Sequence, residues 1–552
     1  MNTARRAELR NQLRAKRMRS LALTLGGAAF LVVGGTAAYF LLNGRQSESV
    51  IPFGAAVTPQ TALLSLTAST NEGPWRQLGE FGTPETKTRW KGQLKNIETD
   101  FLEPFGLSYD KDIRPWVGSQ LNLVLLSPAP EDVAKVGANA AVWFLPMRDP
   151  QQARSVVDRA AGSASQKRTY KDVEVQTFQG QNGKSLSAVV LENRLLVVSN
   201  GNNTLNQVID TYRGAPSLAQ TPRLQEAMKE VEDSSAFAQV YVNLPIAAAG
   251  LLQNAGRGIS QSTIGRIQAV QGIGASIEIE NDGLNFKAIS WLKPDAKQEV
   301  KGSNKTQTLA RLLPGDTLAI ASGVNFQQAW QDHTQGTESQ LIVPLNPSKI
   351  QASLLKSTGL DFEKEFASWM DGEFIAAVVP TANSSKQGVG MMLLAKANDR
   401  AKADRAFQKL DTAMRDRHNF LVAESKVGNR SVTTWKVPPN LPLATHGWLD
   451  NNVAFFTFGA PISERILTPQ NNSLADAALF QKTRSSNLTS NTGQFFVDLP
   501  RAVATMQNSP LLPKLAPTAN QIAQAIEGIG MSTAIHNAWS TRYDFTVKLK
   551  RQ

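Results

Sequence analysis

"GLSYDKDIRPW" at 106–116 and "GLDFEKEFASW" at 359–369 are two spellings of one phrase, 253 positions apart. The match runs without a gap from Gly106 to Leu126 and from Gly359 to Val379. Gly106/Gly359, Leu107/Leu360, Lys111/Lys364 and Trp116/Trp369 are identical, and Glu363 and Glu365 answer Asp110 and Asp112. More windows recur in the same order. "AVWFLPMRDPQQA" (141–153) answers "MMLLAKANDRAKA" (391–403), and "LENRLLVVSNG" (191–201) answers "LDNNVAFFTFG" (449–459). "VYVNLP" (240–245) answers "FFVDLP" (495–500), and "IQAVQGIGAS" (267–276) answers "AQAIEGIGMS" (523–532). A period this long predicts a tandem duplication of one domain of about 240 residues, not a solenoid of short repeats.

Each window has readable local physics. Asp361 is placed to cap a helix on which Phe362, Phe366 and Trp369 share a face at i, i+4 and i+7, and Gly372 is expected to close it. In the first copy the face is Tyr109, Ile113 and Trp116, with Pro115 shortening or kinking the helix. Trp116 and Trp369 read as anchors of a helix on a sheet; the sharper alternative is a ligand platform. Next come a strand, a cap (Asp149, Asp399) and a helix. Its buried stripe is Ala153, Val156, Val157 and Ala160 in one copy, and Ala403, Phe407, Leu410 and Met414 in the other. Strands are expected near 173–178, 186–191 and 194–199. "SIEIENDGLNFKAISWL" (276–292) predicts a hairpin turning at Asp282–Gly283, and Tyr543, Phe545, Val547 and Leu549 alternate on one side of a last strand.

Hydrophobic residues make up 41% and charged residues 19% of the 552, enough apolar material for real cores. Of the net charge of +12, half lies in residues 1–20, where seven basic side chains face one acid, Glu8. Beyond them the charges are interspersed, with none of the stripes that nucleic acid requires. There is no cysteine, which excludes disulfides, thiolate metal sites and cysteine nucleophiles. Residues 21–42, "LALTLGGAAFLVVGGTAAYFLL", carry no charge. As a helix they would be roughly 33 Å long, enough for a hydrocarbon core of roughly 30 Å. The run exceeds a signal-peptide core, and "GTAAYF" is a poor cleavage site, so an uncleaved anchor is expected. The arginines before it put the N-terminus in the cytoplasm and the bulk outside. Gly27, Leu31, Gly34 and Ala38 offer a small-residue face for helix packing, and so for a homodimer.

The expected division is therefore a basic cytoplasmic tail (1–20), a transmembrane anchor (21–42), a linker (43–57), repeat 1 (58–293), a linker (294–308) and repeat 2 (309–552). The expected fold class is α+β: two tandem homologous domains, each a largely antiparallel sheet with packed helices, behind one N-terminal transmembrane helix. The anchor, "LGEFGTPETKTRWKGQL" (78–94), "YDKDIRPWVG" (109–118), the strand-then-"RDP" entry and "YVNLP" together resemble domain-of-unknown-function family 3352, membrane-anchored proteins mostly of cyanobacteria. The resemblance covers nearly all of 58–552 and implies an extracytoplasmic protein of the plasma or thylakoid membrane, with no catalytic residues to carry over. Copy two departs from the pattern with Ala367–Ser368 where copy one has Arg114–Pro115.

No catalytic, cofactor-binding or metal-binding residue is assigned. His333, His418, His446 and His536 are scattered without metal-ligand spacing, and each reads as a surface or hairpin residue. There is no nucleophile elbow, Walker sequence or dinucleotide fingerprint. Gly272/Gly274 and Gly528/Gly530 read as glycines of a bulge or close backbone approach at a strand entering a hairpin, not as a phosphate loop. Asp110/Asp112 and Glu363/Glu365, two apart around a lysine, read as a solvated edge. Arg114/Ala367 and Glu278/Ala534 mark places where the copies differ. The expected function is a non-enzymatic interaction or assembly factor for a membrane complex, with membrane lipid met through 21–42 and a protein partner in or at the membrane. The alternative is carriage of a lipid or apolar ligand in a sheet–helix groove.

Overall fold

The caps and alternations read from both halves appear in the computed structural model, which describes residues 50–126, 140–161, 165–247, 268–296, 304–305, 307–335, 347–381, 388–459, 461–468, 472–508 and 517–551. The tail, the anchor and residues 43–49 of the first linker lie outside the described residues. Among those described, no helix is long and apolar enough to cross a membrane. Two compact units divide the chain: Met1–Lys297 with Arg551–Gln552, and Gln298–Lys550.

The first unit has strands β1 (Ala62–Ser69), β2 (Gln120–Leu126), β3 (Ala140–Pro146), β4 (Gln166–Tyr170), β5 (Val173–Gln179), β6 (Ser185–Leu191), β7 (Leu195–Ser199), β8 (Ala238–Val242), β9 (Val270–Glu280) and β10 (Gly283–Leu292). All pairs within the unit are antiparallel, in the order β4-β5-β6-β7-β3-β2-β1-β8-β9-β10. The second unit has β11 (Ala319–Gly323), β12 (Phe374–Pro380), β13 (Val389–Lys396), β14 (Leu421–Val427), β15 (Arg430–Val437), β16 (Leu441–Trp448), β17 (Val453–Gly459), β18 (Gly493–Asp498), β19 (Ile526–Asn537) and β20 (Ser540–Leu549). Its order, β14-β15-β16-β17-β13-β12-β11-β18-β19-β20, follows the same plan strand for strand. The fold is α+β on antiparallel sheets with packed helices.

Helices of the first unit are α1 (Glu72–Gly79), α2 (Pro84–Phe101), α3 (Pro150–Ala161), α4 (Asn202–Tyr212) and α5 (Leu224–Glu230). Those of the second are α6 (Phe326–Gln335), α7 (Pro347–Thr358), α8 (Phe362–Glu365), α9 (Arg400–His418), α10 (Glu464–Leu467), α11 (Ala478–Thr483), α12 (Leu499–Asn508) and α13 (Pro517–Ala525). Each sheet buries both faces. In the first unit one face packs Val124, Val142, Phe144 and Val197 under Leu205, Val208 and Ile209 of α4. The other packs Trp116, Phe178, Ala188 and Leu196 against Ala153 and Val156 of α3. In the second unit Ile375, Leu394, Phe455 and Phe496 fill one core, and Trp369, Phe374, Trp435 and Ala454 meet Phe407 and Leu410 of α9 in the other. Two-sided burial is why strands such as β2, "QLNLVLL", are apolar almost throughout.

The repeated phrase ends one element and starts the next. Gly106 (φ 70°) and Gly359 (φ 78°) take the left-handed conformation that stops the preceding helical turn, which is why both phrases begin with glycine. Trp116 and Trp369 are each 1% exposed. Each indole N–H donates to the carbonyl four residues earlier, Asp112 O and Glu365 O, so both are core anchors.

Several expectations are corrected here. Asp361 does cap, accepting from Lys364 N (3.0 Å), but the helix is only α8. It gives way to a 3-10 turn, Ala367–Trp369, so Phe362 and Trp369 do not share one continuous helix. Gly372 closes nothing; a Cβ there would lie 2.6 Å from Lys396 Cβ, so the glycine serves a close approach. In the first copy Tyr109–Ile113 is a single π-helical turn before Pro115. The hairpin turns at Asn281–Asp282, because Glu280 pairs with Gly283, and the positive φ (154°) falls on Gly283 itself. β20 alternates in direction but not in burial: Asp544 is buried, held by Ser485 Oγ and by Arg542 Nε at 3.1 Å.

Candidate functional site

Helix α9 carries the most developed polar cluster among the described residues. Asp399 caps it, accepting from Lys402 N at 2.8 Å. That cap sets the helical phase that points Arg400, Asp404, Phe407 and Asp411 at β15 and β16. The Arg400 guanidinium lies 4.4 Å from the Trp448 ring centre, and Trp448 Nε1 donates to Asp404 Oδ1 at 2.8 Å. One turn on, the ring of His446 stacks on Phe407 at 4.4 Å and 11°. Asp411 Oδ1 then accepts from Trp435 Nε1 (2.6 Å) and from His446 Nε2 (2.8 Å). A carboxylate only accepts, so Nε2 carries the imidazole proton.

His446 was expected at the surface or in a hairpin; it is 4% exposed in the core of the second unit. A carboxylate can orient an imidazole to take a proton at its other nitrogen. Here the ring lies among Phe407, Phe456 and Trp435, and among the described residues no hydroxyl is bonded to it. The arrangement clamps α9 to the sheet. Its sequence signal was Asp404 and Asp411 at helical spacing with Phe407, two acids on the buried stripe.

His418 and His536 are not brought to it. His418, exposed at the end of α9, lies 3.0 Å from Ser357 O, and His536 is exposed near the β19–β20 turn. His333 is on α6, and its side chain lies outside the described residues. No group of acids and histidines among the described residues could hold a metal ion.

The paired acids are only half solvated. Asp110 is exposed and Glu363 half-buried. Asp112 accepts from Ser108 N (2.8 Å) and pairs with Arg159 of α3, while Glu365 pairs with Lys409 of α9 at 2.7 Å. These are the same link in both units, from the repeated box to the helix after the next two strands. Arg114 pairs with Asp110 and Glu72, whereas Ala367 is buried in an apolar core. Glu278 accepts from Ser235 Oγ (3.2 Å) near Lys287, whereas Ala534 is buried.

Asp233 has a perturbed carboxyl. Burial pushes it up, but hydrogen bonds from Lys287 and Ser235, with the lysine charge, outweigh this and hold it below the usual range. A depressed folded value gives stability that is full above the unfolded value, about 3.9, and is lost as pH falls through the folded one. Asp233→Asn is expected to lower the melting temperature of the first unit at pH 7 and to flatten its acid limb. An unchanged acid limb in pH-resolved melts would refute the assignment.

The model of a family described as "Protein of unknown function (DUF3352)" matches residues 24–549. No curated protein matches the chain. Among solved structures, crystal form I of TP0453 is similar at 9% identity, covering 45% of this chain and 81% of that one, with a TM-score of 0.25. Form III is similar at 10% identity, covering 46% and 84%, also at 0.25.

Proposed function

The chain belongs to the DUF3352 family, and from that premise we propose a single-pass, membrane-anchored, extracytoplasmic protein made of two copies of one domain. It acts without catalysis, as an interaction or assembly factor for a complex of the plasma or thylakoid membrane. Residues 21–42 provide the anchor and the arginines before them fix its orientation.

The observation that carries the interaction reading is an exposed apolar pair. Met391 and Phe458 face each other across β13 and β17 and are 57% and 41% exposed. The corresponding positions of the first unit hold Ala141 and Asn200, so the shared fold does not require the pair. Contiguous exposed apolar surface of this kind suits a protein interface. The buried polar clusters support the non-catalytic part, since their bonds hold helices to sheets.

Cross-linking in intact membranes tests this. A reproducible protein partner is expected, and Met391→Ser with Phe458→Ser should remove it while leaving the melting temperature within a few degrees. A partnerless chain, or an adduct that survives both substitutions, would overturn the reading.

A further inference from the structure

Met391 and Phe458 belong to a longer apolar row at one end of the sheet. Phe458 also pairs with Ala444 on β16, and β16 begins at Leu441, which is 61% exposed. Leu441 pairs with Val437, two residues from the buried Trp435 and therefore on the same face. Met391 and Phe458 stand on that face too, since Leu393 and Phe456, two residues from them, pack into the core that holds Trp435. It is the face that α9 covers with Phe407 and Leu410.

α9 sorts its charges by side. Its acids Asp404 and Asp411 turn to the sheet, where the indoles of Trp448 and Trp435 donate to them. Five bases of the helix, Arg400, Arg405, Lys409, Arg415 and Arg417, are exposed against one exposed acid, Asp416. Lys409 pairs with Glu365, and Arg400 lies over Trp448 and 3.9 Å from Asp404. Arg405, Arg415 and Arg417 form no ion pair among the described residues. Arg415 is one turn beyond Asp411, on the flank that meets β15 and β16. Arg415 and Arg417 suit the negative end of the helix dipole, but Arg405, far from that end, does not.

The shared fold requires none of this. The first unit has Ala141 and Asn200 in place of the apolar pair and Ser155 in place of Arg405. Its helix α3 has 12 residues against the 19 of α9, whose additional turns carry Arg415 and Arg417. The exposed apolar row and the unpaired arginines thus occur together, on one face of one copy. Protein interfaces are enriched in methionine, aromatic residues and arginine, and depleted in lysine. A guanidinium also fits a carboxylate at two points at once. Building on the interaction reading, we propose that the partner is a protein with an acidic surface, whose apolar side chains seat on Met391, Phe458 and Leu441 while carboxylates beside them meet the arginines of α9.

The test uses the full-length protein in its own membrane. Arg405→Lys and Arg415→Lys keep the charge but place a primary amine at each position, and a zero-length carbodiimide then joins that amine to any carboxylate paired with it. Mass spectrometry is expected to find position 405 or 415 linked to an aspartate or glutamate of a second protein. Met391→Ser with Phe458→Ser should abolish the link. Arg405→Glu with Arg415→Glu should lower the yield of the partner adduct about tenfold, since repulsion replaces attraction at two places. The melting temperature should stay within a few degrees; if the reversal does not fold, the lysine variants carry the test.

Links only to a second copy of this chain would overturn the proposal. So would phosphatidylglycerol vesicles that co-float with the protein in phosphatidylcholine nanodiscs and are released by the charge reversal, because the arginines would then serve lipid phosphate. If the Met391/Phe458-dependent cross-link persists while no carbodiimide link forms, the interaction reading stands and the acidic partner falls. If neither adduct forms, both fall.

Discussion

Gly530→Ala is expected to destabilise the second unit by about 3 kcal/mol, and Gly274→Ala, its counterpart in the first, by only about 1 kcal/mol. Both glycines lie on the strand that carries the "GIG" sequence, each beneath a short helix. Gly274 pairs with Tyr241 as Gly530 pairs with Phe496, so the two places are equivalent. The obstacles differ. A Cβ on Gly530 would lie 2.2 Å from Thr483 O, 2.6 Å from its Cβ and 2.8 Å from its carbonyl carbon. Those atoms form the end of α11, so relief requires lifting the helix from β19. A Cβ on Gly274 would meet Met228 Sδ at 2.3 Å, and the next atom is at 3.5 Å. A thioether can rotate away. Denaturant melts of the two variants give the comparison; equal losses would show that helix placement is not what these glycines secure.

That contrast marks how far the sequence could be read. The repeated phrase and the caps at Asp149, Asp361 and Asp399 were legible because each depends on residues within three or four positions. The glycine pairs were legible from residue type alone, though the atoms they approach, Met228 and Thr483, are distant in sequence. So was the pairing of strand with following helix, since apolar periodicity is local. What failed depended on contacts distant in sequence. The stripe Phe362, Phe366, Trp369 suggested one helix, but Trp369 is drawn down by the core it shares with Phe407 and Trp435, and the chain tightens into a 3-10 turn to reach it. Asp112 looked solvated because Arg159, its partner, is 47 positions away. His446 looked peripheral because Asp411 is 35 positions away, on a helix covering a sheet whose strand order was not yet known.

Asp411→Ala should cost the second unit about 3 kcal/mol, and Asp411→Asn well under half of that. The alanine variant leaves two buried donors, the Trp435 indole and the His446 imidazole, without their acceptor, at about 1–3 kcal/mol for each orphan. Asparagine keeps an oxygen at the same place and shape, so both donors stay bonded and only the charge is lost. If the pair acts as a buried ion pair, removing the charge should be nearly as damaging as removing the side chain. Equal losses in denaturant melts at pH 7 would therefore overturn the hydrogen-bond account. The first unit shows that the fold does not require this cluster, since Ala188 and Phe178 occupy the places of His446 and Trp435, and Ala161 the sequence position of Asp411. What the second unit gains is direction. Apolar packing alone tolerates sliding of a helix along a sheet, whereas two donors converging on one carboxylate oxygen fix α9 in a single register. α9 lies on the sheet face that also carries Met391 and Phe458, and that register leaves the pair exposed beside it.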